Sequence, residues 1–382
     1  MKILFITHET TRTGSPKVLL LFLQWINAQH PEIIVDVLAL RGGALEGEFK
    51  IVCHSYYSFY QLTKLKKLNI FKRVLSKLKL FKIPNLEKLL VEKLAKKNYN
   101  LIYANSIPSL HIAATLKAQS KNSKLLLHLH ELEVVLNLFL NKNDNALPVV
   151  DKFIAASGIV KTNLINNWNI PKSIIEMVYE CSNIEIKENG VLSKSKKDKV
   201  FTIGASGNVH WRKGPDIFLQ VARYIFSNYP NIVVKFVWVG KISFEEQIIL
   251  EEDIHKLNLK EKVLFTGEVE NPSIYFNDFD VFVMTSREDP FPLVCIEVGM
   301  LGKPIICFKG ATGSEEIIKD TGGFVVPYLD IEAMSGKIIE YYEKPELIKD
   351  HGVKNEVAFS KFTPELICPK FFSIIQRVIV KL

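Results

Sequence analysis

The sequence predicts an α/β protein built from two doubly wound, Rossmann-like domains, and three observations lead there. At 382 residues the chain is too long for one ordinary hydrophobic core. Short runs rich in Val, Ile and Leu alternate with amphipathic segments, the pattern of parallel strands buried between crossover helices. That alternation runs twice, on either side of a polar stretch at 185–199 that contains Gly190 and a Ser/Lys cluster.

Taken in order, the first half reads as strands at 3–7, 33–40, 101–104, 124–128, 152–155 and 174–178. Helices are expected at 18–29, 59–97, 107–119 and 158–167. The opening run, MKILFITHET, is too short for a secretory leader and suits a first strand. The next apolar run, Val18 to Ile26, is broken by Gln24 and falls far below the ~18 residues of a membrane span. The second half reads as strands at 201–205, 233–239, 263–266, 281–285, 305–308 and 324–326, with helices at 215–228, 244–257 and 292–301. A helical stretch at 364–380 closes the chain, so the expected division is 1–184, 185–363 and 364–382.

Composition narrows the partners. Apolar residues make up 48% of the chain and no low-complexity tract is present, which excludes a disordered protein. The cysteines Cys53, Cys181, Cys295, Cys307 and Cys368 are odd in number, scattered and without a CxxC pair. They argue for reduced thiols in a cytoplasmic protein and against a zinc site. The net charge of +8 is uneven: residues 1–190 carry 25 Lys and Arg against 15 Asp and Glu, and the remainder 24 against 26. Residues 61–97 hold 12 of those bases, with Leu65, Leu68, Phe71, Leu75 and Leu78 interleaved at helical spacing. Such a segment suits the anionic inner face of a membrane, or equally a solvated helix face over the core. No nucleic-acid motif accompanies it, so nucleic acid is not an expected partner.

The densest chemical signal is 286–306, SREDPFPLVCIEVGMLGKPII. A strand ending at Thr285 and Ser286, a tight loop and a helix start would offer unpaired backbone N–H groups to a phosphate. Glu297, within the first turns of that helix, could reach a ribose or sugar hydroxyl. Together these suggest a nucleotide-sugar site.

Other candidates lie at strand ends, where doubly wound sheets bind ligands. The run from Gly204 through Gly207 and Asn208 ends in Arg212, Lys213 and Gly214. Its glycines allow close backbone approach, and its two cations could stabilise a departing diphosphate; a basic pair on an exposed loop is the plainer reading. Gly14, between Thr13 and Ser15, precedes a helix beginning at Pro16 and Lys17 and would let a substrate lie against the backbone. His128 and His130 share a face of their strand. His130, nearer the loop, suits a sugar or acceptor hydroxyl, and His128 a structural role; without a third convergent ligand no metal is expected. Gly313, Ser314, Glu315 and Glu316 open another helix, as a cap or as an acid facing a donor sugar. Asp278 and Asp280 could in principle hold Mg²⁺. They precede the strand at 281–285, opposite the Ser286 loop, and read as a turn and strand start.

In this order the pieces resemble the retaining GT-B glycosyltransferases of the group 1 family (family 4), which includes relatives of sucrose and glycogen synthase. The resemblance covers nearly the whole chain and is strongest from Gly204 to Asp330. It implies two Rossmann-like domains facing across a cleft, acceptor binding in the first, nucleotide-sugar binding in the second, and a C-terminal helix packed back on the first. The family's Glu-x7-Glu motif corresponds to Asp289 and Glu297, with Asp in the first place. Glu297 would bind the ribose and Asp289 the region of the sugar ring, with the diphosphate held by backbone N–H groups near Phe291, Pro292, Leu293 and Val294. Of the family's Arg-x4-Lys pair, Lys213 matches the Lys, Asn208 stands at the Arg position, and Arg212 would supply the second charge. Gly14, His130, Gly313 and Glu316 match further family elements.

The resemblance implies metal-independent transfer of a sugar, with retained anomeric configuration, from a nucleotide-sugar substrate to a glycan or lipid-linked acceptor in surface polysaccharide or lipopolysaccharide assembly. No cofactor and no protein nucleophile are expected. A GT-B nucleotide-sugar epimerase and a catalytically inactive binding protein are the alternatives, the second favoured by the departures at Asp289 and Asn208.

Overall fold

A computed structural model of the chain describes residues 1–64, 86–120, 122–141, 144–184, 200–319 and 322–380. The chain forms two compact units. Met1–Ala156, Val160–Tyr179 and Pro364–Leu382 make the first, and Ser157–Ile159 with Glu180–Thr363 the second.

The first unit is a seven-stranded sheet, β1 (Lys2–Thr7), β2 (Ile34–Ala39), β3 (Ser55–Ser58), β4 (Leu101–Asn105), β5 (Lys124–Leu129), β6 (Lys152–Ala155) and β7 (Ile175–Met177). Every pairing is parallel and the order is β3-β2-β1-β4-β5-β6-β7. The order reverses between β1 and β4, where Thr7 pairs with Asn105, and ligands bind such sheets beyond the carboxyl ends flanking this point. Helix Gly14–Gln29 begins a full turn before Val18 because Thr13, in extended conformation, starts it and its carbonyl accepts from the N–H of Lys17. The C-terminal helix Pro364–Val380 packs on that helix, with Phe371 5.4 Å from Phe22 and Phe372 5.7 Å from Trp25 between ring centroids. Strand β3 had no sequence signal: four residues, Ser-Tyr-Tyr-Ser, mostly half-buried at a sheet edge, carry no apolar run. Of the expected 59–97 helical region, Phe59–Lys64 and Leu86–Ala95 are helical. The rest of the basic segment, from 65 to 85, lies outside the described residues, as does the connection at 185–199.

The second unit is a six-stranded parallel sheet of β8 (Phe201–Ser206), β9 (Val234–Val239), β10 (Val263–Phe265), β11 (Val281–Met284), β12 (Ile305–Phe308) and β13 (Gly323–Val326), ordered β10-β9-β8-β11-β12-β13. Its reversal falls between β8 and β11. Asp280 accepts the Thr202 N–H at 2.8 Å, tying the start of β11 to that of β8, at the edge away from the Ser286 loop. Two further helices follow β13, Ile331–Glu343 and Pro345–Phe359. Asp330 caps the first by accepting from the Ala333 N–H at 2.8 Å, and Pro345 opens the second. Among the described residues no helix is long and apolar enough to cross a membrane.

Candidate active site

In the second unit the loops after β8 and β11 meet backbone to backbone at the reversal of the sheet. A Cβ on Gly214 (φ +71°) would fall 2.1 Å from the Thr285 carbonyl oxygen; beside it the loop after β9 closes on the loop after β8, where a Cβ on Gly240 (φ +155°) would fall 2.0 Å from the Gly207 carbonyl oxygen. These contacts need glycine on both counts. Thr285 Oγ1 donates to the Lys213 carbonyl at 3.1 Å, and the Arg287 N–H donates to the Arg212 carbonyl at 2.8 Å. Arg287 clamps the same turn from outside, donating to both Asp216 carboxylate oxygens at 3.0 and 2.7 Å and lying over the Trp211 ring.

This scaffold aims two cations at one buried carboxylate. Lys213 forms an ion pair with Asp289, and Arg212 Nη1 lies 3.7 Å from the other Asp289 oxygen while donating to the Glu288 carbonyl at 3.0 Å. Asp289 is 4% exposed and is fixed further by its N–H donating to the Ala311 carbonyl at 2.7 Å. Two positive charges therefore converge on one carboxylate.

Phe291 and Pro292 lead into helix Leu293–Met300, with Phe291 buried against Phe362, centroids 5.4 Å apart. The first N–H groups of this helix, at Leu293 and Val294, have no partner within it, and no acid occupies its first turn. One turn on, Glu297 is 9% exposed and accepts from Ser182 Oγ at 2.8 Å. Gly313 closes the floor: a Cβ there would strike the Pro290 carbonyl at 2.2 Å and Ser157 Cβ at 2.4 Å. Glu316 accepts from the N–H groups of Gly158 and Ile159 at 3.1 and 2.9 Å. Asn208 is exposed.

The first unit assembles a separate group beyond β1, β4 and β5. Gly14 is the first residue of its helix, with open space where a Cβ would stand. His130 is half-buried, its Nε2 2.9 Å from Asn105 Oδ1, and Asn105 Nδ2 donates to the Ser15 carbonyl at 3.1 Å. His128 is buried, with Nδ1 2.7 Å from the Tyr103 hydroxyl and its ring 4.0 Å from that of His130. Sequence reasoning missed Asn105, Ser106 and the role of Glu131. Ser106 adopts φ +80°, ψ +147°, a backbone conformation costly for any residue but glycine. The buried Glu131 carboxylate holds it there, accepting from Ser106 Oγ and from the N–H groups of Ile107 (3.2 Å) and His130 (3.0 Å). At the end of β1, Glu9 accepts from Thr11 Oγ1 (2.6 Å) and Thr13 Oγ1 (3.1 Å). The His8 imidazole, its Nε2 3.6 Å from Glu9 Oε1, lowers the carboxyl to about 2 despite burial, helped by these hydroxyls.

By this architecture the chain is a GT-B protein, two parallel α/β sheets of the kind found in that class of glycosyltransferase. Residues 187–366 match the family described as Glycosyl transferases group 1. Anabaena HepE, solved in complex with UDP and glucose, superposes with a TM-score of 0.78 over 98% of this chain and 99% of its own at 20% identity. The amylovoran biosynthesis glycosyltransferase AmsD of Erwinia amylovora is 32% identical over 35% of this chain and 37% of its own length. The lipopolysaccharide core biosynthesis mannosyltransferase LpcC of Rhizobium leguminosarum is 25% identical over 44% of this chain and 48% of its own. The chain thus spans about half the length, or less, of the curated relatives it matches.

Proposed function

We propose that the chain is a retaining, metal-independent glycosyltransferase of the family 4 type, moving a sugar from a nucleotide diphosphate donor to a glycan or lipid-linked acceptor. One observation carries this reading: Arg212 and Lys213 converge on the Asp289 loop, directly ahead of the helix that bears Glu297. The diphosphate would sit at the Leu293 and Val294 N–H groups beside those cations. Glu297 would grip the ribose, and Asp289, Gly313 and Glu316 would border the sugar. Breakage of the glycosidic bond builds charge on the leaving phosphate, and preorganised cations stabilise that charge without reorganising. The phosphate itself would accept the proton of the attacking acceptor hydroxyl on the same face, which retains configuration without a protein nucleophile. In this reading the second unit binds the donor and the first, with His130 and Gly14, the acceptor.

The amylovoran and lipopolysaccharide roles of these relatives support a place in exopolysaccharide or lipopolysaccharide assembly, and HepE's complex with UDP and glucose supports a uridine nucleotide as first donor to try. The test is calorimetric titration of UDP and other nucleoside diphosphates into the wild type and Glu297→Ala. Loss of binding and transfer by a variant that keeps its circular dichroism is expected. Unchanged binding and transfer would defeat the site, and product NMR showing an inverted anomeric centre would defeat retention.

A further inference from the structure

We infer that Arg287 is a positioning residue that holds the Trp211–Lys213 turn, so that the loop after β11 sets where the two cations of the turn stand. This rests on the placement of a diphosphate beside Arg212 and Lys213 made above. Three successive carbonyls of the turn are tied to that one neighbouring loop. Arg287 Nη1 donates to the Trp211 carbonyl at 2.7 Å, the Arg287 N–H to that of Arg212 at 2.8 Å, and Thr285 Oγ1 to that of Lys213 at 3.1 Å. The turn itself is a 3₁₀ helix of three residues, and a segment that short holds itself weakly. Its orientation is therefore supplied by what it is tied to.

The guanidinium is fixed in its turn. Its fork meets both Asp216 oxygens, at 3.0 and 2.7 Å, and Asp216 stands in the first turn of helix Pro215–Asn228, which the Trp211–Lys213 turn enters through Gly214. Its flat face lies over the Trp211 ring, 5.0 Å from the centroid. One planar group thus joins the start of that helix, the turn before it and the loop after β11. A lysine ammonium has no such fork. The Asp216 carboxylate neutralises the Arg287 charge, so the residue acts through the geometry of Arg212 and Lys213 and need not touch a phosphate.

The test compares UDP with UMP by calorimetry in the wild type and in Arg287→Lys. UMP lacks the second phosphate, so the ratio of the two affinities reads the cations and not the base. Arg287→Lys should cut the preference for UDP roughly tenfold, the worth of one charge-assisted hydrogen bond; a general loosening of the unit would weaken both nucleotides alike. Lys213→Met should cut the same preference, and adding Arg287→Lys to it should cost little more, since one residue acts through the other. Without ligand, amide hydrogen exchange should rise in Arg287→Lys at Lys213, Gly214 and Arg287, whose N–H groups donate within or onto the turn. Unchanged exchange there overturns the proposal, as does an unchanged ratio in Arg287→Lys where Lys213→Met lowers it. Asp216→Asn, at a side chain 54% exposed, should act in the same direction and takes the place of Arg287→Lys if that variant does not fold. A wild type that binds neither nucleotide, or a ratio that Lys213→Met leaves unmoved, tells against the diphosphate site itself, and the exchange then decides whether Arg287 holds the turn.

Discussion

Arg212 belongs by its backbone to the loop after β8 and by its guanidinium to the loop after β11: Nη1 lies 3.7 Å from Asp289 and donates to the Glu288 carbonyl at 3.0 Å. In the proposed site it would supply the second cation that Asn208 does not. Arg212→Ala should therefore lower kcat by about 10²-fold, the loss typical of one preorganised donor. Asn208→Arg in that background should recover only part of it. Steady-state kinetics with the identified donor checks both, and an undiminished kcat in Arg212→Ala would remove the guanidinium from the reaction.

Asp289 is the ion-pair partner of Lys213. Asp289→Ala strands the Lys213 ammonium, whose side chain is 17% exposed. We expect a loss of about 2 kcal/mol, less than for a fully buried pair because water still screens the lysine. Urea unfolding measures it. The double variant Asp289→Ala, Lys213→Met should regain much of the stability and none of the activity.

Gly214 joins the two loops. A Cβ there meets the Thr285 carbonyl at 2.1 Å in a backbone conformation of positive φ. Gly214→Ala should push Lys213 away from Asp289 and cost about 1–3 kcal/mol of strain. Thermal unfolding and donor affinity should fall together; a variant as stable as the wild type would show that the loops yield freely.

Glu9 makes a pH prediction. Its carboxyl lies at about 2 in the folded protein, below the ordinary 4.5, chiefly through the neighbouring His8 imidazole. A depressed carboxyl contributes stability that is complete above the unfolded value and lost as pH falls through the folded one. The loss should run between about pH 4.5 and 2 and be shallower in Glu9→Gln, as read from urea midpoints across that range. Parallel curves for both proteins would separate Glu9 from acid unfolding.

Much of the fold was legible because its strands are buried on both faces. In β1 five of the six residues are buried, and in β11 all four, so their codes are nearly pure apolar runs. The same logic hid β3, an edge strand whose Ser-Tyr-Tyr-Ser needs to be apolar on neither side. The helices at Ile331–Glu343 and Pro345–Phe359 were not anticipated from the sequence, although Asp330 caps the first and Pro345 opens the second. At the candidate site, Arg212, Lys213, Asp289 and Glu297 were visible as charged residues just beyond apolar runs. Asn105 and Ser106 were not, since a neutral amide and a hydroxyl after a strand look like any turn. The strain at Ser106 exists only because Glu131, 25 residues on, holds it.

The order of residues was enough to define two doubly wound sheets and to mark the strand ends as the seat of chemistry, because apolar periodicity is a local property written residue by residue. It could not say which strand ends become neighbours. Lys213 and Asp289 are 76 residues apart, and Asn105 and His130 25. They meet because β8 pairs with β11 and β4 with β5. Strand order in a parallel sheet is settled by the packing of crossover helices over the whole domain, and with it which side chains meet.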